Sequence, residues 1–190
     1  MNILLLGPQG SGKGTQAKLI AADHGIPHVA TGDMFRAAIA EGSELGRKVE
    51  PILAAGELVP DELTIALIRE RLEADDARDG FVLDGFPRNL AQAEALDAML
   101  AEIERPLDVI LYFDLPEEVA VERMLRRGEL EHRGDDTPDA IARRLELYRE
   151  HTLPVVEHHR TRGKLVQLHA DRPIEQVHAE VQQVLDQVPA

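Results

Sequence analysis

Gly7-Pro8-Gln9-Gly10-Ser11-Gly12-Lys13-Gly14-Thr15 follows directly on the apolar run Ile3-Leu4-Leu5-Leu6. The stretch fits Gly-x-x-x-x-Gly-Lys, the phosphate-binding loop, with one departure: Gly14 separates Lys13 from the hydroxyl residue Thr15. Glycines let the backbone take angles other residues avoid and let an anion approach closely. Successive N–H groups in such a turn form an anion-binding concavity, and a following helix aims its positive dipole end at the same spot. The context agrees: a buried-strand run lies before the loop, and a helical pattern from Gln16 to His24, ended by Gly25, lies after it. A plain glycine-rich turn between strand and helix is the bland alternative. A dinucleotide fingerprint fits less well, because Thr15 occupies the third glycine position after Gly10-x-Gly12. A protein-kinase glycine loop requires a later His-Arg-Asp, which the sequence lacks.

At 190 residues and 44% hydrophobic content the chain reads as one compact domain with enough apolar material for a core. It has no cysteine, which excludes disulfides and thiolate metal sites. No apolar run approaches membrane-spanning length and no basic leader precedes the first strand, so the expected location is the cytoplasm. A net charge of −14 argues against a nucleic-acid footprint. Only four of the 21 basic residues are lysines (13, 18, 48 and 164), leaving 17 arginines, the better planar phosphate binders. In an acidic chain a cluster of them makes a local anion funnel, although arginine simply replacing lysine explains many surface ones.

Apolar runs alternate with helical patterns, the signature of a parallel sheet covered on both faces. The expected strands are Ile3–Leu6, Pro27–Val29, Phe81–Leu83, Val109–Phe113 and Leu165–Leu168. Ligands of such sheets sit beyond the carboxyl ends of the strands. After the second strand, Thr31 or Asp33 is placed to cap a helix, and Arg36 falls in its first turn, unfavourable without an anion nearby. Residues 30–59 read as a small helical insertion, and Asp61 as the cap of the next helix. Asp84 ends an apolar strand; with a phosphate loop present it reads as the Mg²⁺-side carboxylate, acting through water, or else as a turn cap. Gly85 and Pro87 then make a turn that projects Arg88. Ala93, Leu96, Leu100 and Ile103 mark the buried stripe of the next helix, with Gln92 off it. Arg123 and Arg127 share a helical face and repel unless something negative lies between them. Residues 126–136 read as a short polar stretch, Pro138 as the first position of a helix, and Pro154 as its kink or end. Ile174, Val177, Val181, Val184 and Leu185 mark a last packed helix.

These residues together resemble the adenylate kinase family, in its short-lid form, over nearly the whole chain. The motifs are 7–16, Ala30-Thr31-Gly32-Asp33-Met34-Phe35-Arg36, Gly56-Glu57-Leu58-Val59-Pro60-Asp61 and Asp84-Gly85-Phe86-Pro87-Arg88-Asn89. Gln92, Arg123 with Arg127, the Arg133-Gly134-Asp135-Asp136 segment and Arg144 join them. Gly14, the departure from the common loop, is itself a mark of this family.

The resemblance implies a P-loop three-layer α/β/α fold with a five-stranded parallel sheet, a single domain over 1–190. It also implies an AMP-binding insertion over 30–59 and a short ATP lid over 126–136. The implied reaction is reversible, Mg²⁺-dependent transfer of the ATP γ-phosphoryl group to AMP. Gly10, Ser11, Gly12, Lys13, Gly14 and Thr15 would cradle the ATP phosphates, with Arg123, Arg127 and the Ala170–Arg172 backbone on the same side. Thr31, Arg36, Glu57, Leu58, Val59, Gly85, Phe86, Pro87, Arg88 and Gln92 would hold AMP. Arg133 and Arg144 would reach the phosphates from the closing lid, and Lys13, Arg88, Arg123, Arg133 and Arg144 would carry catalysis. Gln9 stands where the family most often has Pro, with little loss of function expected. The short lid lacks the long insertion and its metal ligands, so no structural zinc is expected. The partners implied are ATP and AMP, without nucleic acid or membrane, for a monomer. UMP and CMP kinases are the nearest rivals; they usually carry Ala at the Thr31 position and Asn at the Gln92 position. A GTPase-like sensor would want an Asn-Lys-x-Asp run, which is absent.

Overall fold

The computed structural model describes residues 1–131 and 135–188. Five strands, β1 (Asn2–Leu6), β2 (His28–Ala30), β3 (Phe81–Asp84), β4 (Val109–Asp114) and β5 (Leu165–His169), form one parallel sheet in the order β2-β3-β1-β4-β5. Each expected strand is present, with bounds within a residue of those read from the sequence.

The helices are α1 (Lys13–His24), α2 (Thr31–Ala40), α3 (Glu44–Ala54), α4 (Asp61–Glu73), α5 (Leu90–Glu102), α6 (Glu117–Glu131), α7 (Pro138–Leu147), α8 (Leu153–Arg160) and α9 (Ile174–Leu185). Alternation along the strands builds a core on each face of the sheet. Ile3 and Leu5 of β1, with Leu111 and Phe113 of β4, pack with α1, α6, α7 and α9 residues such as Ile20, Met124, Leu145 and Val181. Leu4 and Leu6, with Ile110 and Tyr112, pack with Ile68 of α4, Leu96 of α5 and Val155 of α8 on the other face. Phe35, Val49 and Val59 form a separate small cluster under α2 and α3. The segment 30–59 therefore carries a small apolar cluster of its own, with Leu67 of α4 against it, while Met34 packs on the main core.

β1 is central, paired in parallel with β3 on one side and β4 on the other. The chain runs first to the β3 side and returns later to the β4 side, so the crevice for a ligand opens at the carboxyl end of β1.

The structure corrects several local expectations. The α4 N-cap position is held by Pro60, not Asp61, and the Asp61 carboxylate instead accepts hydrogen bonds from Asn89 and Gln92. Ala30 holds the α2 N-cap position, and the Thr31 hydroxyl donates to the carbonyl of Gly85 at 2.9 Å. Arg36 lies in the second turn of α2 and pairs with Asp33 at 2.5 Å. The stretch 126–136, read as short and polar, begins as helix: α6 continues through Glu131, and a Cβ at Gly128 would come within 3.2 Å of the Asp136 carbonyl oxygen. Pro154 neither kinks nor ends α7 directly. One π-helical turn over Tyr148–Thr152, closed by Leu153 N–H to Tyr148 O, leads into α8, where the missing proline N–H is tolerated in the first turn. Gln92, off the expected stripe, is 2% exposed, whereas Ile174, on the expected stripe, is 51% exposed.

Candidate active site

A cleft of about 800 Å³ opens at the carboxyl ends of β1, β2 and β3 and reaches Ala170 just after β5. One wall is the loop between β1 and α1. Gly10 has φ +83° and lies so close to α6 that a Cβ would sit 2.7 Å from the Ala120 carbonyl, so only glycine fits this turn. Gly12, also left-handed, occupies the N-cap position of α1 with no side-chain cap, leaving the first-turn N–H groups of α1 for a ligand.

Lys13 Nζ donates to the carbonyls of Gly7 and Pro8, each at 2.7 Å, and to Ser11 Oγ at 3.3 Å. Enclosure in the cleft lowers its pKa to about 8; Arg88 and Arg127 add repulsion, and Asp84 opposes both. Asp84 ends β3. Burial works against its ionisation, but the His28 ring 3.7 Å away and the charges of Lys13 and Arg88 prevail and hold it below the usual carboxylate range. The result is an anion beside the start of α1, 3.6 Å from where a Gly14 Cβ would lie.

Arg88 is fixed at three points. Its N–H donates to Gln92 Oε1 at 2.8 Å, its Nε donates to the Gly85 carbonyl at 2.8 Å, and its carbonyl accepts from Thr152 Oγ1 at 2.8 Å. Burial depresses its pKa, Asp84 opposes, and the like charges of Arg144 and Arg36 depress it further. Guanidinium groups from α2, from the turn after β3 and from α7 therefore converge closely enough to repel, an arrangement that favours an anionic ligand between them.

On the other wall, Arg127 forks onto Asp136 with two bonds of 2.8 Å. Arg144, 8% exposed, reaches the same carboxylate at 2.6 Å, Asp135 at 2.5 Å and the Leu53 carbonyl at 3.3 Å. Burial opposes ionisation of Asp136, but Arg127 and Arg144 outweigh it and keep the carboxyl below its ordinary range. Asp136 is thus a negative group that relieves the repulsion expected around Arg127, while Arg123 Nη1 donates to the Ala170 carbonyl at 2.9 Å. Arg143 pairs with Glu57 at 2.7 Å and ties α7 to the turn before α4.

A family model described as adenylate kinase matches residues 5–164. The chain belongs to the adenylate kinase family. An adenylate kinase of Thermobifida fusca is 50% identical over 177 residues, covering 93% of this chain and 94% of the relative. One from a Cyanothece strain is 46% identical over 186 residues, covering 98% and 95%. One from Archaeoglobus fulgidus is 39% identical over 215 aligned residues, covering 99% of each.

Of the residues that the adenylate kinase resemblance singles out, Gly10, Ser11, Gly12, Lys13, Gly14, Thr15, Arg123, Arg127 and Arg172 line the cleft. So do Arg36, Glu57, Asp84, Gly85, Phe86, Pro87, Arg88 and Arg144. Thr31, Leu58, Val59 and Gln92 are not in its lining; Thr31 and Gln92 stand one layer back, bonded to Gly85 and Arg88. Arg133 lies outside the described residues. Sequence reasoning left Lys18, Arg126, Tyr148 and Thr152 unassigned, although all four line the cleft. Tyr148 opens the π-helical turn that leads from α7 into α8. Among the described residues no group of three or more His, Asp or Glu is arranged to hold a metal ion.

Gln92 Nε2 donates to Asp61 Oδ1 at 2.7 Å. Asp61→Ala leaves that buried amide without this acceptor and lowers the unfolding free energy by about 1–3 kcal/mol, read by urea denaturation. An unchanged urea midpoint contradicts the positioning of Gln92 by Asp61.

Proposed function

We propose that the chain transfers the γ-phosphoryl group of Mg²⁺-ATP to AMP and runs the reaction in reverse, giving two ADP in the forward direction. The observation that carries this reading is the placement of Lys13, on the phosphate loop, and of Arg36, Arg88 and Arg144 around one cleft.

In this reading the AMP phosphate oxygen attacks in line, and the bond from the γ-phosphorus to the β–γ bridging oxygen breaks, leaving ADP. A phosphate oxygen is already a nucleophile at neutral pH, so no general base is needed and catalysis is positioning plus charge stabilisation. The loop 10–15 and the α1 N-terminus hold the donor phosphates, with Lys13 on the transferred group. Arg123 and Arg127 flank them, and the Ala170–Arg172 backbone lies against the base. Arg36 and Arg88 hold the acceptor phosphate. Thr31, the 57–59 backbone, the Gly85–Pro87 turn and Gln92 enclose the rest of AMP. Both polar atoms of Gln92 are engaged by protein, yet its amide keeps a second N–H and a second lone pair for an adenine edge. Arg133 and Arg144 serve both phosphates.

Asp84 fits a Mg²⁺ that arrives with the nucleotide: a single ionised carboxylate beside the loop, holding the ion through water. Bound with ATP, the ion supplies neutralisation of charge on the β- and γ-phosphoryl oxygens. Residues 30–59 act as the acceptor lid and 126–136 as the donor lid. The separate packing under α2 and α3 supports the first, and the contacts of Arg144 with Leu53, Asp135 and Asp136 supply a seam along which the two meet. Closure excludes water that would otherwise hydrolyse ATP. The protein acts as a monomer in the cytoplasm, with the two nucleotides as its partners and neither nucleic acid nor membrane. The net charge of −14 argues against a nucleic-acid partner, and no described helix is long and apolar enough to cross a membrane.

ADP and Mg²⁺ incubated with the protein give ATP and AMP in equal amounts. ADP that persists unchanged, or that yields AMP and inorganic phosphate, overturns the reading.

A further inference from the structure

α1 and α9 are joined by a side-chain relay that starts at the cleft and runs away from it. Gln16, the residue after Thr15, is 3% exposed and lines the cleft. Its Nε2 donates to the carbonyl of Ile174 at 2.9 Å, and its Oε1 faces His178 Nδ1 at 3.0 Å. His178 Nε2 lies 2.8 Å from Asp23 Oδ2. Gln182 Nε2 donates to the same Asp23 oxygen at 2.9 Å and lies 3.4 Å from His178 Nε2, and Gln182 Oε1 contacts His24 at 3.2 Å.

The hydrogen-bond directions are constrained. With Nε2 of Gln16 committed to Ile174, its Oε1 must accept, so His178 Nδ1 is the donor. Nδ1 of His178 faces the Gln16 oxygen, and Nε2 faces the Asp23 carboxylate at 2.8 Å, nearer than the Gln182 amide nitrogen at 3.4 Å. The position therefore calls for a side chain that donates in two directions. Without it, the buried Gln16 oxygen has no partner, and the amide turns to find one, taking its N–H from Ile174. Ile174, Glu175 and Val177, at the start of α9, all line the cleft next to the phosphate loop. Nothing in the phosphoryl-transfer scheme uses His178, yet it sits at the root of that wall.

We infer that His178 is a positioning residue for the donor nucleotide: through Gln16 it fixes the Ile174 carbonyl and the first turn of α9 against the phosphate loop, where ATP binds. This rests on the reading of the cleft as a two-nucleotide site, with the donor at the loop end. The relay touches α1 and α9 only, so the acceptor end, built by α2 and the turn after β3, is unaffected by it.

The test measures ATP and AMP dissociation constants by titration calorimetry, and KM for each in turnover, on the full chain. His178→Phe weakens ATP binding and raises KM for ATP about tenfold, leaves both AMP constants within twofold, and leaves kcat at saturating ATP near normal. His178→Arg, which offers donors in both directions, restores the ATP constants to within about threefold. Equal effects on ATP and AMP, no effect on either, or an arginine variant no better than phenylalanine overturns the inference. A His178→Phe chain that does not fold passes the question to Asp23→Ala, at the outer end of the relay, with a smaller loss confined to ATP; AMP affected equally overturns it. Wild-type protein that binds ATP without turnover sinks the kinase reading and leaves the calorimetric comparison to decide the role of His178.

Discussion

Replacing Arg88 with alanine lowers turnover at least about a hundredfold and leaves the fold intact. Its side chain spends Nε on the Gly85 carbonyl, its terminal nitrogens have no hydrogen-bond partner among the described residues, and the residue lines the cleft. The main-chain bonds to Gln92 and Thr152 do not depend on the side chain and persist in the variant. A pre-aimed donor of this kind in a water-poor site contributes about 10²–10³ in rate. The loss falls on kcat as well as on KM for AMP, because the guanidinium stabilises charge on the moving phosphoryl group. Circular dichroism and a urea midpoint near that of wild type accompany the loss. Near-normal turnover removes Arg88 from the catalytic set.

Lys13→Met produces a loss of similar or greater size, about a thousandfold in kcat/KM for ATP, since it removes both a donor and a full charge from the transferred group. The wild-type protein carries an independent signature of the same residue. In the free cleft the ammonium deprotonates at about pH 8, below its ordinary value, because enclosure and neighbouring arginines outweigh Asp84. Bound phosphates favour the charged form and raise that pKa. ATP binding above about pH 8 therefore takes up a proton, and kcat/KM for ATP falls as pH rises through that value, whereas below about pH 7 the proton is already present and no uptake occurs. Calorimetric titration at pH 8.5 in buffers of different ionisation enthalpy measures the uptake. In Lys13→Met the Lys13 uptake is gone. Wild-type binding without proton uptake at that pH contradicts the assignment.

The parallel sheet was legible because Ile3–Leu6 and Val109–Phe113 are continuous apolar runs, as strands buried on both faces must be. The phosphate loop was legible because its glycines are demanded by backbone geometry, as the contact of Gly10 with Ala120 illustrates. What the sequence did not disclose are features created by tertiary contact. Asp61 looks like a helix cap and acts as a hydrogen-bond acceptor for Gln92, an interaction between residues 31 apart in sequence. Gly128, within a stretch that reads only as polar, is a point of close approach to Asp136. In the sequence Asp136 is one member of a polar segment and of the 133–136 motif; its role as the shared counter-ion of Arg127 and Arg144 requires α6 and α7 to be brought together. The His178 relay spans 162 residues from Gln16, and no local spacing rule connects its members.

The most direct test of the central claim is Mg²⁺-ATP incubated with AMP, UMP, CMP, GMP or no acceptor, with products separated by chromatography. The account predicts rapid ADP formation with AMP alone and only slow formation without an acceptor. Rapid UDP or CDP formation removes Thr31 and Gln92 from the specificity argument, and absence of transfer to any acceptor contradicts the account as a whole.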